Sequence, residues 1–155
     1  MSAKNVEKVR AYLATWDGEM LRPDLRSLDR IVSMAFTGDL FASDAVYEDA
    51  VLPDHVGESY RGLDGVLRAA RSWLEPFEWL IVELEEIIDA DERVVSLHRA
   101  RMRMLHTEIE FESPLAYVFT FQDGKVIHQR AFVDHAAALK AVGWRSRRCR
   151  GRTWR

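Results

Sequence analysis

The chain of 155 residues contains a single cysteine, Cys149, which excludes an internal disulfide and a metal site built from several thiolates. That cysteine falls in an arginine-rich tail, so neither packing nor catalysis is its expected role. No apolar run approaches the roughly 18–20 residues that span a bilayer. The opening stretch "MSAKNVEKVRAYL" is charged from its start and lacks the apolar core of a signal peptide. The expectation is a cytoplasmic protein without a membrane partner. Gly-rich phosphate loops, His/Asp metal clusters and nucleophile–histidine pairs at a known spacing are also missing, so no metal or nucleotide cofactor is indicated. There is no internal repeat.

What is present is a globular composition, 48% hydrophobic and 30% charged, at a length suited to one domain with a proper core. The net charge of −3 conceals an asymmetry. Residues 145–155, "RSRRCRGRTWR", hold six of the 22 basic residues and no acid, which leaves 16 basic against 25 acidic residues in the body, near −9. An acidic body argues against nucleic acid as the main partner; any such contact would run through the tail. The tail reads as a disordered, solubilising extension, with RNA, membrane phosphate or an acidic neighbouring subunit as other surfaces for it. The division is therefore a body over 1–144 and a tail over 145–155.

Along the body, Val6, Val9, Leu13 and Trp16 recur at helical spacing, with Tyr12 beside that stripe. Pro23 and Asp24 open a second helix with Leu25, Leu28, Ile31, Val32 and Ala35 inward. A short strand over 45–51 follows, "AVYEDAV", then a loop, then a third helix that Asp64 can cap, running to Glu75. From there the period changes to two. "WLIVELEEII" is a strand; in "RVVSLHRARMRML" Val94, Ser96, His98, Ala100, Met102 and Met104 share one face and Arg99, Arg101 and Arg103 the other. The next strand places Ile109, Phe111, Leu115, Tyr117, Phe119 and Phe121 on the apolar face and Glu110 and Glu112 opposite, so glutamates answer arginines. After the hairpin turn "QDGK" the last strand turns Ile127, Gln129, Ala131 and Val133 inward. A short helix, "HAAALKAVG", closes the body, with Asp134 as its N-cap.

Helices first and a curved antiparallel sheet afterwards make an α+β domain. Three helices are available to cover an apolar concave face, the convex face is charged, and a pocket is expected between sheet and helices.

The order of elements and the phrases "NVEKVRAYLATW", "SDAVYED", "YRGLDGVLRAARSW", "DADERVVSLHRAR" and "SPLAYVFTFQDGKVIHQRAFVDHAAALKAVGW" resemble the nuclear transport factor 2-like superfamily, in particular its SnoaL-like branch. The resemblance covers residues 5 to 144, leaves the tail outside, and finds the 19–40 stretch longer than usual. It implies a cone-shaped α+β fold with a closed-end pocket and a homodimer. It does not imply one reaction, since ketosteroid isomerases, polyketide cyclases, epoxide hydrolases, dehydratases and non-catalytic domains share the fold.

Against the ketosteroid isomerase pattern, Asp49 in "DAVYED" falls on the proton-shuttling base and Tyr12 in "RAYLATWD" on the helix tyrosine. Tyr117 in "LAYVFTF" stands where that family has a carboxylic acid, a phenol that still donates toward an oxyanion. A carboxylate in an apolar pocket has its charged form disfavoured, which raises its pKa toward that of a useful base. The opposite reading of Asp49 is a mouth or loop carboxylate bonded to nearby N–H groups. Against the polyketide cyclase pattern the acid/base aspartate falls on Ala131, and the epoxide hydrolase pattern lacks its inward carboxylates.

His98 is either a base or orienting group, or a satisfied core residue. Gln129 is the polar residue of the last strand's inward face. Trp16, Tyr47, Trp73, Met102, Phe119 and Ala131 complete the expected pocket, whose ligand is a small hydrophobic molecule. Two function classes follow. One is a cofactor-free isomerase, dehydratase or cyclase acting next to a carbonyl, with Asp49, Tyr12 and Tyr117 in the reaction. The other is a non-catalytic ligand-binding or dimeric assembly domain.

Overall fold

A computed structural model describes residues 2–24, 26–27, 40–49 and 58–144. Helix α1 (Ser2–Ala14) leads to a two-residue strand β1 (Met20–Leu21), then β2 (Phe41–Asp49) and β3 (Glu58–Arg61). Helix α2 (Gly62–Leu74) precedes a meander of long strands, β4 (Phe77–Ala90), β5 (Arg93–Met104), β6 (Glu110–Gln122) and β7 (Lys125–Phe132), and α3 (His135–Ala141) ends the body. The strands form one sheet in the order β1-β4-β5-β6-β7-β2-β3. The α+β class stands. Every pairing is antiparallel except β2 with β7, which run parallel because β2 enters the sheet beside a strand 76 positions later in the chain, not through a hairpin.

The core lies on the concave side. Val9, Tyr12, Leu13 and Trp16 of α1 and its following turn meet Leu80, Val82, Val94, Tyr117 and Phe119 of the sheet, all nearly inaccessible. The turn after α1 is stitched to β4: Gly18 N–H donates to the Val82 carbonyl at 2.8 Å, and Leu84 N–H donates to the Asp17 carboxylate at 2.6 Å. Helix α2 lies against β2 and β3, and its Gly65 approaches so closely that a Cβ there would sit 2.8 Å from the backbone carbon of Tyr60. Asp64 lies in the first turn of α2, not at its cap, which is Arg61 and makes no side-chain bond. The carboxylate still favours the helix N-terminus through the helix dipole.

Beyond Ser27, the second helix expected from Pro23 lies outside the described residues; at its start, Asp24 accepts the Ser27 N–H at 2.8 Å, as a helix N-cap does. The 45–51 strand begins earlier, at Phe41, and its last two residues are outside the described set.

The convex face is not charged throughout. Arg99 pairs with Glu85 and Glu112, and Arg103 with Glu78 and Glu110, as the alternation predicted. Further along the same parity, however, Val95, Leu97, Ala116, Val118 and Phe132 form a second buried cluster with Ala138 of α3. The short helix therefore seals the back of the sheet. Asp134 caps it, accepting the Ala136 N–H at 2.9 Å, and His135 fastens it, Nε2 lying 2.8 Å from the His98 carbonyl and 3.1 Å from that of Leu115.

Two strand ends also depart from expectation. Ile109 and Phe111 are 60% and 43% exposed, since β6 projects beyond the core there. In β7 the register shifts between Thr120 and Phe121 of its partner, so Val126 takes the interior place expected for Ile127, and Val133 is left exposed past the strand's end. The turn itself is a two-residue type with Asp123 and Gly124 both at positive φ, 54° and 82°.

Candidate functional site

Between α1, α2 and the sheet lies a partly open cavity of about 60 Å³. Tyr12 and Trp16 enter it from α1 and its turn, Tyr47 from β2, Trp73 from α2, and Tyr117 and Gln129 from β6 and β7; Val66, Leu80 and Val82 are among the apolar groups between them. None of the described lining residues carries a charge. The placement follows from period. On α1, positions 9, 12, 13 and 16 fall on one stripe, and on β6, positions 115, 117, 119 and 121 fall on one pleat face.

Six of the residues expected at a pocket therefore line one cavity: Tyr12, Tyr117, Tyr47, Trp16, Trp73 and Gln129. Met102, Phe119, Ala131 and His98 are buried in the same core but belong to the layer behind that wall. Asp49 is placed by its backbone at the end of β2, opposite Ala131 of β7 and Glu58 of β3; its side chain lies outside what the structure describes.

The aromatic groups pack edge to face. Tyr12 meets Trp16 at 5.9 Å and 83°, and Trp16 meets Tyr117 at 6.3 Å and 84°. Burial pushes the Tyr12 phenol up to about 12, with the Trp16 side chain working in the opposite direction. The phenol thus stays neutral and keeps its proton to donate. The Trp16 indole N–H is directed at the Tyr12 side chain, short of full hydrogen-bond geometry, and the buried Trp73 indole N–H meets no acceptor among the described residues.

His98 stands behind Trp16 and Tyr117. Its ring stacks on Trp16 at 5.9 Å and 26° and meets Tyr117 edge-on at 5.4 Å. Nε2 lies 2.8 Å from the Ser96 hydroxyl, while Nδ1 has no partner. Burial, with the charge of His135 adding to it, lowers the imidazole pKa to about 3, so the ring is neutral at physiological pH. Ser96 had a legible signal, two residues from His98 on the same strand face. The His135 bond through the back of the sheet had none.

His128 pairs with Glu48 at 2.9 Å at the partly exposed β2–β7 junction, and no group of three potential metal ligands clusters among the described residues. Nor, among them, is any helix long and apolar enough to cross a membrane.

Comparison with known proteins gives one sequence match and many structural ones. The SnoaL-like domain profile matches residues 9–129. A putative SnoaL-like polyketide cyclase from Jannaschia sp. is 20% identical, with 90% of this chain and 92% of that one covered at a TM-score of 0.62. A protein of ketosteroid isomerase-like fold from Catenulispora acidiphila, solved with trimethylamine, is 18% identical over 88% and 92% of the two chains, TM-score 0.61. A phenazine biosynthesis-related protein from Pseudomonas aeruginosa is 19% identical over 92% and 83%, TM-score 0.59. No curated protein matches the chain in sequence. At these identities the likeness to the solved structures is one of fold.

Proposed function

This chain belongs to the SnoaL-like domain family, and we propose that it uses the cavity to bind a small hydrophobic carbonyl compound and to move a proton next to that carbonyl without a cofactor. The observation that carries this reading is the convergence of Tyr12 and Tyr117, from a helix and from a strand far apart in sequence, on one uncharged aromatic cavity. Two neutral phenols in such surroundings are donors for an oxygen on which negative charge develops, and low polarity strengthens that interaction.

Asp49 is the base in this reading. It lies two residues beyond Tyr47, a cavity residue, and has the same pleat parity along β2. Its carboxylate takes a proton from the carbon beside the carbonyl, Tyr12 and Tyr117 hold the enolate oxygen, and the proton returns to a different carbon. Isomerisation, dehydration and cyclisation all share that first step. His98, neutral and held by Ser96, keeps Trp16 and Tyr117 in place from behind.

Conversion of 3-cyclohexen-1-one to its conjugated isomer, followed by the enone absorbance, tests the reading. The wild-type chain is expected to accelerate it over buffer. Asp49→Asn is expected to lower the rate roughly a hundredfold or more, the usual scale of a lost general base. A wild-type rate no faster than buffer for this and larger enones, or equal rates for wild type and Asp49→Asn, would sink it.

The non-catalytic reading has one observation in its favour: the absence of any charged group among the described cavity-lining residues. A homodimer belongs to the same proposal. It is supported by the exposed apolar side chains Leu105, Ile109 and Phe111 at one end of the β5–β6 hairpin. The alternating arginines and glutamates of the convex face complement a second copy of themselves.

A further inference from the structure

Four polar side chains are buried among the described residues: Ser27, Ser96, His98 and Gln129. Buried polar groups are nearly always hydrogen-bonded, and one left unpaired costs more than a typical bond contributes. Ser27 accepts the Arg22 N–H at 2.9 Å, and Ser96 and His98 hold each other at 2.8 Å. Gln129, 4% exposed, lines the cavity, and its side-chain amide has no hydrogen-bond partner among the described residues. The indole nitrogens of Trp16 and Trp73 are sealed into the packed wall, whereas the Gln129 amide is not. Its place follows from β7, where Gln129 pairs with Tyr47 of β2 on one side and with Phe119 of β6 on the other.

Taking the cavity as the ligand site, as the preceding section does, we propose that Gln129 is its specificity-determining residue, holding a ligand edge that carries a carbonyl acceptor and an N–H or O–H donor on neighbouring atoms. A side-chain amide presents an acceptor oxygen and an NH2 donor side by side. A plain ketone answers the NH2 and leaves the oxygen unpaired, and a hydrocarbon answers neither. A carboxylate has no donor, and it would bring a charge among described lining residues that carry none. A cyclic amide or an α-hydroxy ketone satisfies both atoms at once. Tyr12 and Tyr117 serve a single oxygen, so this edge is a second point of recognition. The substrate of the proton transfer carries it in addition to its reacting carbonyl.

The test uses the full chain and three ring compounds of similar size: 2-piperidone, 2-hydroxycyclohexanone and cyclohexanone. The sequence holds one asparagine, Asn5, and two glutamines, Gln122 and Gln129, hence three side-chain amide pairs in a proton–nitrogen NMR spectrum. Neither Asn5 nor Gln122 lines the cavity. The lactam or the hydroxy ketone is expected to move the Gln129 amide protons downfield and leave the other two pairs in place. The tighter of the two identifies the donor as N–H or O–H. Gln129→Met keeps the length of the side chain without its polar atoms. It should weaken that ligand roughly tenfold, on the scale of two hydrogen bonds, and cyclohexanone by about threefold at most. If Gln129→Met fails to fold, Gln129→Leu replaces it, and the wild-type amide shift decides on its own through backbone-based assignment. Binding that leaves the Gln129 amide unmoved overturns the proposal, as does an equal loss of all three compounds in the variant. Cyclohexanone binding without either of the others overturns it while leaving the cavity as a ligand site. If none of the three moves any signal of a cavity residue, the reading of the cavity as a ligand site falls too.

Discussion

The imidazole of His98 lies flat against the indole of Trp16, ring centres 5.9 Å apart, with one nitrogen held by Ser96 and the other unpartnered. A ring so enclosed resists protonation. Its pKa of about 3 lies below the ordinary value of 6.5, so the unfolded chain binds a proton between those values that the folded chain refuses. Stability should therefore fall as pH drops below about 6.5 and go on falling toward 3, with a slope of at most about 1.4 kcal/mol per pH unit from this group. Denaturant unfolding at pH 7, 6 and 5 measures it. His98→Phe keeps a ring against Trp16 and cannot titrate, so its profile should be flatter; parallel profiles for the two proteins would refute the assignment.

Gly65 sits inside α2, where alanine would normally stabilise a helix by up to about 1 kcal/mol. Here the added Cβ would lie 2.8 Å from the Tyr60 backbone, which cannot swing aside as a side chain would. Gly65→Ala should instead destabilise by roughly 1–3 kcal/mol, the cost of overpacking. Thermal unfolding with a lower midpoint supports this; a midpoint equal to or above that of wild type would show that α2 can shift freely.

The exposed pair Ile109 and Phe111 should report on assembly. Sedimentation of the wild-type chain is expected to give a dimer, and Ile109→Asp combined with Phe111→Asp should shift it toward monomer with the circular dichroism unchanged. A wild-type monomer at all concentrations tested would exclude the homodimer, and an unaltered dimer in the double variant would place its interface elsewhere.

Much of this architecture was legible from residue spacing. The inward set of β5 and the stripe of α1 follow from periods of two and 3.6, and both are seen. Arg99, Arg101 and Arg103 with Glu110 and Glu112 mark the back of the sheet as charged, although Val95 and Leu97 share the arginines' parity and announce a covered patch. Ile109 and Phe111 carried the inward pattern too, but alternation gives the face of a strand and not how far the cover extends along it. The register shift in β7 was invisible, since one added residue leaves no local mark in the sequence. At the site, the gathering of Tyr12, Tyr117, Trp16 and Trp73 at one pocket was expected, whereas the direction of the indole N–H groups depends on ring orientation, which spacing cannot supply.

That register shift in β7 has a consequence for how the family's pockets can diversify. Val126 faces in and His128 faces out toward Glu48, and Ile127 between them absorbs the change of phase, so that Gln129 and Ala131 face in. Removing Ile127 would take out the extra residue and restore plain alternation, with Val126 in, His128 out and Gln129 and Ala131 still in. A single codon lost at this joint is therefore a smaller step in cavity chemistry than a substitution of Gln129 or Ala131, because the strand beyond it keeps its phase.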